Sequence, residues 1–288
     1  MKAAAFDYVK ADSVAQVIEL LQQHGDDARV LAGGQTLLAT LNMRLSEPAL
    51  LIDINGLAAL RGIERQGEVL RIGALVTHAE IERSELVARH APLLAQAAPH
   101  IAHRAIRNRG TWGGSLAYAD PAAEWPACLL ALGGTVVVQG PGGVRRIAAD
   151  DFFLGLYTTA LAPDEIVIAG EVPVAREGQW QGMTQLARRH GDYAVVGLAA
   201  TAQRRGAALA SVRLAFMGVA ATPWRARRTE ELLEGREPDD ATLAMAAASL
   251  RAEIEPLPDL THSSETKRHL AGVLLQRLLA CARRDSKG

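Results

Sequence analysis

Cysteine is nearly absent from this 288-residue chain. Cys128 and Cys281 stand in unrelated apolar segments. That excludes a disulfide framework, and it excludes iron–sulfur and zinc ligand sets, which need clustered cysteines or histidines. The expectation is two buried, reduced thiols of the kind found in cytosolic proteins. An excess of charge is also lacking: 31 Lys and Arg stand against 32 Asp and Glu, for a net charge of −1. A dedicated nucleic-acid binder is usually basic, so that class is set aside. Long apolar runs are missing too. The longest, Cys128 to Val138, is interrupted by Gly133 and Gly134, and it falls far short of the ~20 residues of a membrane span. The opening MKAAAFDYVKAD has no apolar segment like that of a signal peptide. The chain reads as soluble and cytoplasmic, with no membrane span.

What is present is globular. Hydrophobic residues make up 49% and charged residues 22%, which rules out a disordered or fibrous chain. At roughly 100–200 residues per domain, the length suggests two domains. Residues 13–25 predict a helix, with Ser13 and Gln16 in a capping-box pattern, Gly25 as a stop, and Val14, Val17, Ile18 and Leu21 on one face. Short strands are expected at 29–32 and 50–54, with a short helix through Leu41 between them. Two strands surround Gln66-Gly67, and Thr77 to Glu80 opens a helix with another capping box. His78 is therefore read as a first-turn residue rather than a ligand. A helical stretch at 84–103 is broken at Pro92 and bent near Pro99. Another helix is expected from Pro121 to Leu132, and strands at 136–139, 144–147 and 166–172. Beyond residue 175, strands at 180–189, 194–204 and 209–219 suggest an antiparallel meander. Helices follow at 225–235, 239–252 and 264–284, the last with Leu270, Val273, Leu274, Leu278 and Cys281 as its apolar stripe. Eight arginines between 187 and 228 precede eight acids between 229 and 255. The reading preferred is that they pair within the C-terminal domain; a partner-docking face is the other reading.

Two glycine loops carry the chemistry. In Ala32-Gly33-Gly34-Gln35-Thr36, glycine allows successive N–H groups to face an anion with no side chain between them, and the following helix adds a positive dipole end. The loop lacks the lysine of a P-loop and the spacing of a dinucleotide fingerprint. The second loop, Thr111-Trp112-Gly113-Gly114-Ser115, lies about 80 residues on. Together they suit the two phosphates of a pyrophosphate, although a Gly-Gly turn taken alone is more often structural. Glu124 is either an acceptor for ribose or ribityl hydroxyls or a solvated acid at a helix start. No pair of residues resembles a nucleophile and base with an orienting third group, so no catalytic residue is assigned and no metal site.

The segments AGGQTLL (32–38), RGTWGGSLAYADPAAEWPACLLAL (109–132) and ARRHGDYAVVG (187–197) resemble the FAD-binding medium subunit of the molybdenum hydroxylases. That group contains xanthine dehydrogenase, aerobic carbon monoxide dehydrogenase and related N-heterocycle hydroxylases. The resemblance spans the chain in order. It implies an α+β fold: a two-lobed FAD-binding domain over 1–175, with α/β lobes of about 1–56 and 57–175, and a C-terminal flavoprotein domain over 176–288. The latter has a three-stranded antiparallel sheet with helices.

By the same resemblance, amides of Ala32, Gly33, Gly34, Gln35 and Thr36, with Leu37 continuing the loop, bind the pyrophosphate of a noncovalent FAD. Thr111, Gly113, Gly114 and Ser115 complete that site. Glu124 holds the cofactor's hydroxyls, Ile101 and Ala102 pack on the flavin side, and Leu161 and Tyr193 stand near the isoalloxazine ring. Related sequences often carry a lysine where Thr184-Gln185 stand here; Gln185 still hydrogen-bonds a flavin but gives up the charge. The implied partners are a small subunit with 2Fe–2S clusters and a large molybdopterin subunit, assembled as a dimer of heterotrimers. Electrons pass from the clusters to FAD and on to an external acceptor. Two rival readings stay open: a stand-alone FAD-dependent oxidoreductase of the same flavin fold, such as the cell-wall-precursor reductases, and a non-catalytic nucleotide-binding assembly protein.

Overall fold

The computed structural model describes residues 2–284. The first lobe is a parallel sheet of β1 (Asp7–Lys10), β2 (Ala28–Leu31) and β3 (Leu50–Asp53), in the order β1-β3-β2. The strand β3 is buried along its apolar run. The edge strand β1 is mostly exposed and reads Asp-Tyr-Val-Lys, so no apolar alternation announced it. The helix Val14–His24 covers the sheet with Val17, Ile18 and Leu21. Ser13 caps it by accepting from the Gln16 amide at 3.1 Å. The Gln16 side chain, however, accepts from the Asp12 amide at 2.8 Å, one residue before the position a capping box requires.

The second lobe is an antiparallel sheet. Its hairpins are β4 (Ile63–Gln66) with β5 (Val69–Gly73), and β6 (Thr135–Gly140) with β7 (Gly143–Ala148). A small hairpin, β8 (Phe153–Gly155) and β9 (Thr158–Thr159), precedes β10 (Ile166–Pro173), which fills the middle of the order β4-β5-β10-β6-β7. Thr77 and Glu80 form the full reciprocal capping box of the helix His78–Arg83. The break at Pro92 divides Glu85–His90 from Pro92–Ala97. The helix expected from Pro121 begins later, at Glu124. The Asp120 carboxylate accepts from the Ala122 amide at 2.8 Å, and the Asp120 carbonyl accepts from the Ala123 amide, so 120–123 is a turn. Pro126 takes the first-turn place instead, where no N–H is needed. The helix Glu124–Leu132 is buried on every side, including Cys128, and so shows no amphipathic period.

The C-terminal unit is an antiparallel sheet of three long strands, β11 (Gln179–Ala187), β12 (Ala194–Arg205) and β13 (Ala208–Met217), as the meander predicts. A two-residue edge strand, β14 (Trp224–Arg225), pairs with β13 and is too short to leave a pattern. The helices Arg227–Leu233, Asp240–Glu253 and Ser264–Arg284 complete it. The last helix buries Ala271, Leu274, Leu275, Leu278, Leu279 and Ala282 in that unit's core. The buried stripe is thus rotated from the one expected. Cys281 lies outside it, exposed, with its thiol donating to the Arg277 carbonyl, which corrects the expectation of two buried thiols.

The arginine-rich segment does not pair only within its own unit. Arg225 binds Glu230, but Arg213, Arg225 and Arg227 all converge on Asp150 of the second lobe, at 2.7, 3.0 and 2.6 Å. Arg213 also donates to the Leu130 carbonyl at 2.7 Å, and the Thr201 hydroxyl to the Ala131 carbonyl at 3.0 Å. Side chains of the C-terminal sheet therefore satisfy the last carbonyls of the buried helix. Asp150→Ala leaves three guanidinium groups without their shared carboxylate and lowers stability by about 1–3 kcal/mol. Asp151→Ala, at an exposed neighbour without these partners, changes it by less than about 0.5 kcal/mol. Denaturant unfolding of the two variants checks the difference.

Candidate cofactor-binding site

A cavity of about 570 Å³ opens where the two lobes meet, a size typical of small-molecule sites. Its walls come from the turn after β2, the segment 110–124, the residues Ile101 and Ala102, Leu161, the start of β10 and the turn Gly191–Tyr193. Ala32, Gly33, Gly34, Gln35, Thr36, Leu37, Ile101, Ala102, Thr111, Gly113, Gly114, Ser115, Glu124, Leu161 and Tyr193 all line it. Gln185 does not. It reaches the site through Glu124, whose carboxyl its side chain hydrogen-bonds, while its own Oε1 is buried without a partner.

The two glycine loops touch through bare backbone. A Cβ on Gly33 would stand 2.1 Å from the Arg109 carbonyl oxygen, and Gly34 has φ +73°. The Asn55 amide group donates to the Ala32 carbonyl at 2.8 Å, and the Gln35 side chain folds back onto the Gly33 carbonyl at 3.0 Å. The backbone N–H groups of Gly33, Gly34, Gln35, Thr36 and Leu37 have no hydrogen-bond partner among the described residues. The helix that follows, Leu37–Asn42, is a turn and a half long. Free amides, rather than the helix dipole, are what this loop offers.

The second loop is built differently. The amides of Trp112 and Gly113 donate to Val76 and Ala74 carbonyls, that of Gly114 to the Thr111 hydroxyl at 3.1 Å, and that of Ser115 to the Thr111 carbonyl. Its glycines serve packing: a Cβ on Gly113 would lie 2.5 Å from the Ala74 Cβ. Beneath it, the Trp125 indole N–H donates to His78 Nδ1 at 2.8 Å. Burial lowers the His78 pKa to about 3, so the imidazole stays a neutral structural acceptor.

The end of the cavity near Glu124 is acidic and phenolic. Glu124 is 5% exposed. Burial raises its pKa to about 7, with Asp120 adding to the rise, while its own backbone amide and Gln185 pull the other way. Burial also raises Asp120, against hydrogen bonds from the Ala122 amide and the Tyr193 hydroxyl. Tyr193 is exposed, yet desolvation and the nearby Asp120 hold its pKa far above the usual value. Tyr118 and Asp120 also line the wall and were not among the sequence candidates. The left-handed Ala119, at φ +54°, ends the helix Trp112–Tyr118 and leads directly into Asp120; nothing in an Ala side chain advertises that turn.

An elongated ligand with an anionic group at the loop of free amides, hydroxyls at the carboxyls and an apolar ring against Ile101, Ile106 and Leu161 suits this donor set. Among the described residues, no group of His, Cys, Asp and Glu is arranged to hold a metal ion.

Residues 4–175 match the family model for the FAD binding domain in molybdopterin dehydrogenase, and residues 182–282 match that for the CO dehydrogenase flavoprotein C-terminal domain. The nicotine 6-hydroxylase medium subunit of Paenarthrobacter nicotinovorans is 38% identical over 97% of this chain and 98% of its own. The carbon monoxide dehydrogenase medium chain of Hydrogenophaga pseudoflava is 36% identical over 96% of each. A solved carbon monoxide dehydrogenase from that organism superposes with a TM-score of 0.95 at 37% identity, covering 98% of this chain and 99% of its own. Quinoline 2-oxidoreductase from Pseudomonas putida 86 gives a TM-score of 0.95 at 36% identity over the whole of both chains. With both family models matched in order and relatives aligned end to end, the chain belongs to the molybdenum hydroxylase family as its FAD-binding medium subunit, the flavoprotein component of an oxidoreductase complex.

Proposed function

We propose that this chain holds one noncovalent FAD, takes electrons from 2Fe–2S clusters in a small partner subunit and passes them to an external acceptor. Substrate hydroxylation then belongs to a large molybdopterin subunit, in a cytoplasmic dimer of heterotrimers. The observation that carries this reading is the run of five unpaired amides, Gly33 to Leu37, on residues that line a cavity of cofactor size. We read residues 1–175 as the cofactor domain and 176–288 as a second domain; the separate core around β11 to β14 supports that division. No helix among the described residues is long and apolar enough to cross a membrane. The hairpin 153–159 exposes Leu154, Leu156 and Tyr157, apolar surface that suits a subunit with permanent neighbours better than a stand-alone enzyme.

When bound, the FAD supplies the redox chemistry, storing two electrons taken up singly and handing them on to the acceptor. The chain's residues bind and position it. The first loop cradles the pyrophosphate by N–H donation, with Ala32 held from behind by Asn55. Thr111 and Gly113 fix the second loop, and Ser115 offers a hydroxyl to the same group. Glu124 and Asp120 accept from hydroxyls of the cofactor, and Gln185 keeps the Glu124 carboxyl in place. Ile101, Ala102 and Leu161 pack the ring, and Tyr193 covers it from solvent.

Gly33→Ala forces the Arg109 carbonyl away from the first loop. A few kcal/mol of such strain weakens FAD binding by about a hundredfold or more. Gly142→Ala, in open space, leaves it unchanged. The ratio of flavin to protein absorbance in the purified variants reads the difference. Acid precipitation of the wild-type protein releases all its flavin, as FAD, into the supernatant; flavin retained in the pellet contradicts noncovalent binding.

Glu124 gives a pH signature. Its folded pKa of about 7 lies above the ordinary 4.5. The folded state therefore binds more protons between those values, and stability falls as pH rises through that window, by about 3 kcal/mol in all. In flavin-free protein, Glu124→Gln is more stable than the wild type by about 1–3 kcal/mol at pH 8, and the gap closes toward pH 4.5. The same variant binds FAD about tenfold more weakly, as expected for loss of one charged acceptor. Denaturant midpoints across the pH range and flavin titration test both halves.

A further inference from the structure

We propose that two exposed loops at the mouth of the cavity, residues 100–104 and 188–192, form a docking surface for an acidic redox protein that collects electrons from this chain. The proposal rests on the function above, since it requires FAD in the cavity with its ring near Ile101, Ala102 and Tyr193.

The loops belong to one mouth. Ile101 and Ala102 from the first, and Gly191 and Asp192 from the second, line the cavity together. They also touch. Gly191 has φ +87°, and a Cβ there would stand 2.6 Å from the His103 ring. The rings of His103 and His190 lie 6.4 Å apart. The side chains of Arg104, Arg188 and Arg189 are all exposed on these two loops.

Their charge is not cancelled locally. Asp192 carries the sole acid of the two loops, and Arg189 holds it at 3.2 Å. Arg104 and Arg188 have no acidic partner among the described residues, whereas nearby Arg107 is buried against Glu82 at 2.9 Å. Three arginines against one aspartate leave +2 on these loops, in a chain whose total is −1. Burial and the neighbouring His190 hold the His100 pKa below the ordinary value; the charge counted here is that of the arginines and Asp192. A cluster of this kind raises the local potential and speeds the encounter with an anionic partner.

The shape favours a protein over a small anion. FAD accounts for the cavity behind the loops. A second cavity, about 330 Å³ and walled by Asp150, Trp224, Arg225 and Glu253, shares no residue with them. An exposed, cationic surface matches the small, charged contacts of transient electron-transfer complexes.

The test uses the full FAD-loaded chain, photoreduced and rapidly mixed with cytochrome c in its native, basic form or its succinylated, acidic form. Each reduced flavin gives one electron to each of two ferric haems and releases two protons to solvent. At about 0.01 M ionic strength the acidic carrier should be reduced roughly tenfold faster than the basic one, a preference that fades near 1 M, where screening shortens to about 3 Å. Arg104→Glu with Arg188→Glu should reverse the preference, and the paired Gln variants should fall between. Arg104 opens a helix, where Glu is tolerated. Binding of the oxidised flavoprotein to succinylated cytochrome c, measured without electron transfer, should weaken in the same order. Equal rates for the two carriers, salt-independent rates, or unchanged rates in a flavin-loaded variant overturn the docking surface alone. A wild-type chain that takes up no flavin, visible in its absorbance before mixing, overturns the function on which the surface rests.

Discussion

Two stretches of backbone meet with no side chain between them, and the cavity depends on that contact. Gly33 sits against the Arg109 carbonyl, where even a methyl group would come to 2.1 Å. Another close approach lies behind it, between Gly113 and Ala74, whose carbonyl also accepts from the Gly113 amide. A bridge between Thr77 and Thr111 adds to the seam. The first of these contacts sets the spacing between the parallel sheet and the antiparallel one, and the other two fix the second loop on its own lobe. Packed backbone does not yield smoothly, so a Cβ at Gly33 would shift one lobe against the other, and one at Gly113 would push the second loop off Ala74. The first loop, pinned from behind by Asn55 and Arg109, keeps its unpaired amides on residues that face the cavity.

What holds the second loop is a small buried stack. Trp112 is fully enclosed, edge-on to Trp125 at 5.3 Å. Trp125 donates to His78, and a Cβ on Gly110 would lie 2.6 Å from that imidazole. The neutral His78 is thus a spacer, shaped to accept one indole proton. Trp112 Nε1 has no partner and lies over Gly170. An unpaired indole N–H costs about 1–3 kcal/mol, set against the apolar area that two enclosed indoles remove from water. The buried helix Glu124–Leu132 carries this support onward, because its C-terminal carbonyls are satisfied by Arg213 and Thr201 of the C-terminal sheet.

Much of this was legible in the sequence, for local reasons. Thr77 with Glu80, the break at Pro92 and the glycine hairpins announce themselves through side-chain chemistry within four residues. The unread parts depend on distant partners. The edge strand β1 is defined by pairing with β3, 43 residues away in register, not by its own pattern. The late start of the helix at Glu124 follows from the Asp120 side chain capturing the Ala122 amide, a choice that Pro121 concealed. Cys281 lies off the buried stripe because the sheet receives Leu275 and Leu279, and a helix with leucines on several faces does not declare which face that is. The cavity-lining residues stood in the two glycine motifs, yet their division of labour did not. A Gly-Gly pair is written identically whether its amides are free, as at Gly33 and Gly34, or satisfied, as at Gly113 and Gly114.

The neutral Gln185 and the buried Glu124 explain one another. The groups that act on the Glu124 carboxyl are Asp120, the Gln185 amide and its own backbone N–H, and none of them is cationic. A lysine in place of Gln185 would favour the ionised form and draw the pKa down. With an amide there, burial prevails and the carboxyl titrates near neutrality. That suits the reading proposed above, in which a diphosphate occupies the other end of the cavity. Two fixed like charges shut into one low-dielectric space would repel, whereas a carboxyl free to take a proton relieves the repulsion without a counterion. Arg29 lines the cavity at an exposed position, and further positive charge stands outside on exposed arginines, where water carries the cost of its solvation. Inside, the cavity offers free N–H groups at one end and an acid tuned by burial at the other.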